Sequence, residues 1–215
     1  QRSIASITKL MTALVIRREL DLTATTRVPV GATLIEGRKA DLLAGEELVI
    51  ADLLRAILIH SGNDAAYTLA VAVDDSEAAF AERMNRRAYY LGMRNTGFAN
   101  SHGLDHPDNY STAFDVALLA KKVLEDDFVR SAVQRIGLVI TDTSGQFRHE
   151  LETTNELLAS SFPVYGLKTG TTDSAGQCFV GLVKHNGRNY IIVVLGSEDR
   201  FRDTKALIWA IRNRG

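Results

Sequence analysis

The stretch QCFVGLVKHNGRNYIIVVL, residues 177–195, decides the fold class. Two extended, mostly apolar pieces, Gln177–Val183 and Asn189–Leu195, flank Asn186-Gly187. Asn-Gly tolerates positive φ at both central positions of a tight turn, so the stretch predicts a type I′ hairpin. Upstream, Tyr165–Thr171 reads as a third strand; downstream, Arg202–Arg212 reads as a closing helix. A smaller hairpin is expected around Ser144-Gly145, within Ile136–Thr154. Helical spacing of apolar residues fills the middle: Ile50–Ile59, a break at His60-Ser61-Gly62-Asn63, a resumption through Asp64–Val73, then Ser76–Leu91 ended by Gly92. Thr112–Leu124 follows, with Thr112 as cap and Asp115 three residues on. Arg27–Val49 reads as irregular, and Asn100–Tyr110 as a loop. Strands late and helices in the middle predict an α/β (α+β) architecture: an antiparallel sheet flanked by helices, a mostly helical lobe, and a site between them.

At 215 residues the chain suits one sizeable core, and its three prolines are too spread to mark a linker. One catalytic domain over 1–215 is expected, with an α/β lobe at about 1–20 and 160–215 and a helical lobe at about 21–159. Lys plus Arg number 25 against 26 Asp plus Glu, with no run of five like charges, which argues against a nucleic-acid partner. The longest apolar stretches, such as Tyr190–Leu195, are far too short to span a bilayer. The single cysteine, Cys178, excludes an internal disulfide and reads as a buried, inert thiol.

Three short strings carry chemistry. On the first of the late strands stands Lys168-Thr169-Gly170-Thr171. Its lysine has no packing role expected of it, and its charge suits a substrate carboxylate and the lowering of a neighbouring amine's pKa. Its glycine lets a peptide lie close against the strand. At the helix break, Ser61-Gly62-Asn63 can point polar side chains into a cleft, Ser61 as proton shuttle and Asn63 as donor to a substrate backbone and partner for a lysine. Near the start, Ile7, Leu10, Met11, Leu14 and Val15 form a helical apolar stripe that puts Ser6 and Lys9 one turn apart. A serine hydroxyl becomes a nucleophile when a base takes its proton, and a lysine is that base once burial or a second cation lowers its pKa. The unpaired N–H groups of the helix start suit an oxyanion.

Ser6-Ile7-Thr8-Lys9, Ser61-Gly62-Asn63 and Lys168-Thr169-Gly170, in that order, are the motif set of penicillin-binding proteins and β-lactamases. With Asp64-Ala65-Ala66, Gly92-Met93-Arg94-Asn95-Thr96, Asn100-Ser101-His102-Gly103-Leu104-Asp105 and Ala175-Gly176, the chain resembles the low-molecular-mass penicillin-binding proteins that act as serine-type D-alanyl-D-alanine carboxypeptidases. The resemblance implies a β-lactamase/transpeptidase-like fold, attack by Ser6 on the penultimate D-alanine of a peptidoglycan stem peptide, Lys9 as base, and Ser61 passing a proton to the leaving D-alanine. It further implies an oxyanion hole from the N–H groups of Ser6 and Thr171, and a carboxylate site from Lys168, Thr169 and Thr171. Arg200 is similar in position to a family arginine near that carboxylate, with Arg202 a close rival. β-Lactams are implied as covalent inhibitors, and the location as extracytoplasmic. No cofactor or metal is implied; of the five histidines only His102 and His106 are close, in a loop ill suited to coordination.

The family carries two strands before the nucleophile, of which this chain has at most a remnant, so an incomplete sheet or a trimmed N-terminus is expected. A C-terminal β-domain and amphipathic anchor are also common there, so membrane attachment is left open. Rival functions are a D,D-endopeptidase cutting cross-links, a β-lactamase and a non-catalytic penicillin-binding sensor. The lactamase is disfavoured, since no E-x-x-L-N string lies between Asn63 and Lys168.

Overall fold

A computed structural model describes residues 1–213, so the last two residues of the expected 160–215 segment lie outside it. A single 3-10 turn, Ala5–Thr8, passes directly into α1 (Lys9–Glu19). The stripe from Ile7 predicted one buried face; in fact every residue from Ile7 to Ile16 is buried, so α1 is enclosed on all sides. Next come β1 (Thr25–Arg27), α2 (Val30–Thr33) and β2 (Glu47–Val49), with Thr25 paired to Val49. These elements correct the irregular reading of Arg27–Val49; three-residue strands are too short to show alternation in sequence.

The predicted helix from Ile50 is α3 (Ile50–Arg55) followed by a wide π turn, Ala56–His60. Ser61 then turns left-handed at φ 69° and α4 (Asn63–Val73) begins. α5 (Glu77–Tyr90) is capped by Ser76 Oγ, which accepts from the Ala79 amide, and Gly92 at φ 79° ends it as expected. α6 (Ala113–Val123) is capped by Thr112. Only half of its predicted box forms: the Asp115 carboxylate accepts from the Asn95 amide and the Thr96 hydroxyl, both at 2.8 Å. The short α7 (Asp127–Ala132), capped by Asp126, showed no full apolar stripe in sequence.

β3 (Gly137–Thr141) and β4 (Arg148–Glu152) form the small hairpin. The three late strands, β5 (Lys168–Thr172), β6 (Gly176–His185) and β7 (Arg188–Ser197), make an antiparallel sheet in the order β5-β6-β7. Asn186 and Gly187 take φ of 48° and 72°, the positive pair that the predicted turn requires. β5 starts three residues later than expected, because Gly166 at φ 75° interrupts the extended run. The closing helix, α8 (Arg200–Arg212), starts two residues early: Asp199 accepts from the amides of Phe201 and Arg202.

Alternation along β6 and β7 builds two cores. Cys178 and Val180 face the interior around α1 and α6, while Phe179, Val183, Ile192 and Val194 pack with Ile208 of α8. Full burial of Phe179 and Ile208 stabilises the docking of α8 by about 1.5–3 kcal/mol each. Helices thus cover both faces of the sheet, as predicted. Among the described residues no helix is long and apolar enough to cross a membrane.

Candidate active site

The enclosure of α1 puts Lys9 out of reach of water, at 0% exposure. Its ammonium donates to three acceptors: Ser6 Oγ at 2.9 Å, Asn63 Oδ1 at 2.6 Å and the His102 carbonyl at 2.6 Å. Burial lowers the Lys9 pKa to about 7, against the opposing pull of the Asp64 and Glu77 carboxylates. The neutral amine has two N–H bonds and one lone pair. The His102 carbonyl can only accept. Asn63 also presents an acceptor, because its Nδ2 is committed to the Glu36 carbonyl at 2.7 Å. These two take the N–H bonds, and the lone pair is left facing the Ser6 hydroxyl.

Each partner is fixed by its backbone setting. The Asn63 amide donates to the Arg38 carbonyl at 2.8 Å, and Asp64 accepts from the amides of Ala40 at 2.9 Å and Leu42 at 3.1 Å. That pins the 36–42 loop against the start of α4. A Cβ on Gly62 would stand 2.9 Å from Asp64 Oδ1 and 3.2 Å from the Ala40 amide nitrogen, which is why the serine of this string is followed by glycine. The Ser61 side chain is buried apart from a small fraction, lines the cleft, and makes no hydrogen bond among the described residues.

The opposite wall is β5. A Cβ on Gly170 would lie 2.8 Å from the Ser6 nitrogen and 2.9 Å from Ala5 Cβ, so only glycine lets the strand come this close to Ser6. Thr169 Oγ1 donates to Thr154 Oγ1 at 2.6 Å. Arg200 lies along the strand, donating to the Gly170 carbonyl at 2.7 Å and to Thr171 Oγ1 at 2.6 Å. Its rival Arg202 is exposed and paired with Asp203 at 3.2 Å. Ser6, Ser61, Thr169, Gly170, Thr171 and Arg200 therefore share one cleft of about 390 Å³.

Lys168 differs from its expectation. It is buried, at 1% exposure, and its ammonium donates to the Thr169 carbonyl at 3.0 Å. Burial is the first cause of the lowered Lys9 pKa, and the two amines repel each other; burial first, then Lys9, Arg38 and Arg200, hold Lys168 well below the usual lysine range. Arg200 and the exposed Arg38 supply the positive charge on the cleft surface.

Arg38, Thr153, Thr154, Glu156 and Phe201 also line the cleft and belong to no string. No local pattern marks them, because they reach the site from the loop before β2, the segment 153–156 after β4 and the start of α8. His102 and His106 do not face one another as ligands: His102 Nδ1 accepts from the Leu104 amide and His106 Nδ1 from the Asp108 amide. Cys178 is fully buried, and burial pushes its thiol pKa up, as an inert core thiol requires.

Comparison with known proteins gives a consistent picture. The peptidase S11 family model, described as D-alanyl-D-alanine carboxypeptidase, matches residues 1–199. The D-alanyl-D-alanine carboxypeptidase DacC of Escherichia coli (strain K12) is 36% identical over 224 residues, covering 97% of this chain and 55% of its own. The D-alanyl-D-alanine carboxypeptidase DacF of Bacillus subtilis (strain 168) is 33% identical over 198 residues, covering 90% of this chain and 51% of its own. The chain thus spans about half the length of these curated relatives. Among solved structures, a point mutant of the Streptomyces K15 DD-transpeptidase superimposes with a TM-score of 0.91 at 28% identity, covering 96% of this chain and 87% of that one.

Proposed function

We propose, from the premise that the chain belongs to the D-alanyl-D-alanine carboxypeptidase family of serine peptidases, that it removes the terminal D-alanine from peptidoglycan stem peptides through an acyl-enzyme on Ser6. The observation that carries this reading is the buried Lys9 amine, with a pKa of about 7, held 2.9 Å from Ser6 Oγ. A near-neutral pKa is where a general base is most effective at neutral pH. Lys9 takes the Ser6 proton as Oγ bonds to the carbonyl carbon of the penultimate D-alanine. The resulting oxyanion is met by the amides of Ser6 and Thr171. As the C–N bond breaks, the proton passes from Lys9 through Ser61 to the leaving amine, and water then hydrolyses the ester with Lys9 neutral again. Thr169, Thr171 and Arg200 receive the terminal carboxylate, with the Arg200 guanidinium supplying the charge.

On this reading residues 1–215 form one catalytic domain of two lobes, acting outside the cytoplasmic membrane. β-Lactams, which present an acyl group and a carboxylate in the same relation, acylate Ser6. The test is D-alanine release from a diacetyl-Lys-D-Ala-D-Ala peptide. Release, with penicillin adducted to Ser6, supports the carboxypeptidase; cleavage of cross-linked dimers without release turns the reading to an endopeptidase.

The pH profile tests the base. Lys9 is protonated below its pKa and competent above it, so the acylation rate should rise with pH through a midpoint near 7 and then level. A midpoint in the ordinary lysine range would remove Lys9 from the role.

A further inference from the structure

Two consecutive residues of the loop before α6, Ser101 and His102, bridge α1 and α5. Their carbonyls face α1: Thr12 Oγ1 donates to the Ser101 carbonyl and Lys9 Nζ to the His102 carbonyl, both at 2.6 Å. Their donors face α5, where one carboxylate oxygen collects them. Glu77 Oε1 accepts from the Ser101 amide at 3.0 Å and from the Ser101 hydroxyl, and stands 3.4 Å from His102 Nε2. Because His102 Nδ1 accepts from the Leu104 amide, it is the other ring nitrogen, Nε2, that the ring presents toward Glu77. Gly103, at φ 90°, lies so close to α1 that a Cβ there would be 2.1 Å from the Ala5 carbonyl oxygen.

We infer that Glu77 is a positioning residue for acylation: it holds the His102 carbonyl where that carbonyl takes one Lys9 N–H bond and so aims the amine lone pair at Ser6. Glu77 lies in none of the three strings, and as the first residue of α5 it would otherwise serve only the helix dipole. A carboxylate used only for that purpose would be solvated, whereas this one is largely enclosed and takes two residues of a segment that itself touches the base. The inference rests on the reading of Ser6 and Lys9 given above.

Charge and geometry separate in the test. Lys9 faces Asp64 from α4, Glu77 from α5 and the repelling Lys168 from β5. Glu77→Gln keeps an acceptor for Ser101 but removes a negative charge that favours protonated Lys9. Its pH midpoint for acylation should therefore fall below the parent's while the plateau is largely kept. Glu77→Ala releases the segment, and its plateau should drop by roughly 10²-fold, the loss expected when a reacting group is displaced by about 1 Å. The measurement is the rate of benzylpenicillin adduct formation per folded molecule, by mass, from pH 5.5 to 9.5. Parent rates and midpoints in both variants would overturn the inference even if both were less stable, since a purely structural role moves stability alone. If Glu77→Ala does not fold, the Gln midpoint decides by itself. A parent that forms no adduct on Ser6 overturns the underlying reading and the inference with it.

Discussion

Ser6→Ala leaves a folded protein that neither releases D-alanine nor binds penicillin covalently. The loss should approach that of other serine hydrolases stripped of their nucleophile, on the order of 10⁶ in turnover. The fold should hardly notice. Among the described residues the Ser6 side chain makes one hydrogen bond, accepting from Lys9, and its removal costs about 1 kcal/mol, while Lys9 keeps its Asn63 and His102 acceptors. Circular dichroism and thermal unfolding establish the intact fold, and D-alanine assay and mass spectrometry the lost chemistry. Release at more than about a hundredth of the parent rate would remove Ser6 from the mechanism; this threshold sits far above the residual expected.

Gly103→Ala should fail differently, in stability and turnover together. The added Cβ would meet the Ala5 carbonyl oxygen at 2.1 Å, its carbon at 2.6 Å and Thr8 Oγ1 at 2.9 Å, and two of these are backbone atoms beside the nucleophile. The φ of 90° adds about 1–2 kcal/mol for a residue with a Cβ, and overpacking a further 1–3 kcal/mol. For a domain of this size that lowers Tm by on the order of 10 °C. Because the same segment carries the His102 carbonyl, the acylation rate of the molecules that do fold should fall by roughly 10²-fold. An unchanged Tm would show that the close approach is not present in solution.

The reach of sequence reading divides along physical lines. Ser6 and Lys9 were legible because one helical turn fixes their separation; Gly170 read as room for a peptide against the strand, whereas its missing Cβ makes room for Ser6 and Ala5. The hairpin was legible because Asn186-Gly187 has few other uses. Glu77 and Arg38 were not, since a carboxylate at a helix start and an arginine in a loop are ordinary. Their meaning comes from partners far away in sequence: Ser101 lies 24 residues beyond Glu77. The burial of Lys168 was illegible for a related reason: strand position told which residue stood on β5, and burial depends on what packs around it. β1 and β2 escaped because three residues carry too little pattern.

Among the described residues four other than glycine take positive φ, namely Ala5, Asp41, Ser61 and Asn186. Asn186 needs that geometry for its turn. Ala5 and Ser61 are different: one precedes Ser6, the other lines the cleft, and each holds a conformation about 1–2 kcal/mol less comfortable than its alternatives. Glycine would relieve both. A lineage selected only to survive heat would therefore drift toward glycine at position 61 and lose its hydroxyl on the way, so that durability and turnover pull this one residue in opposite directions.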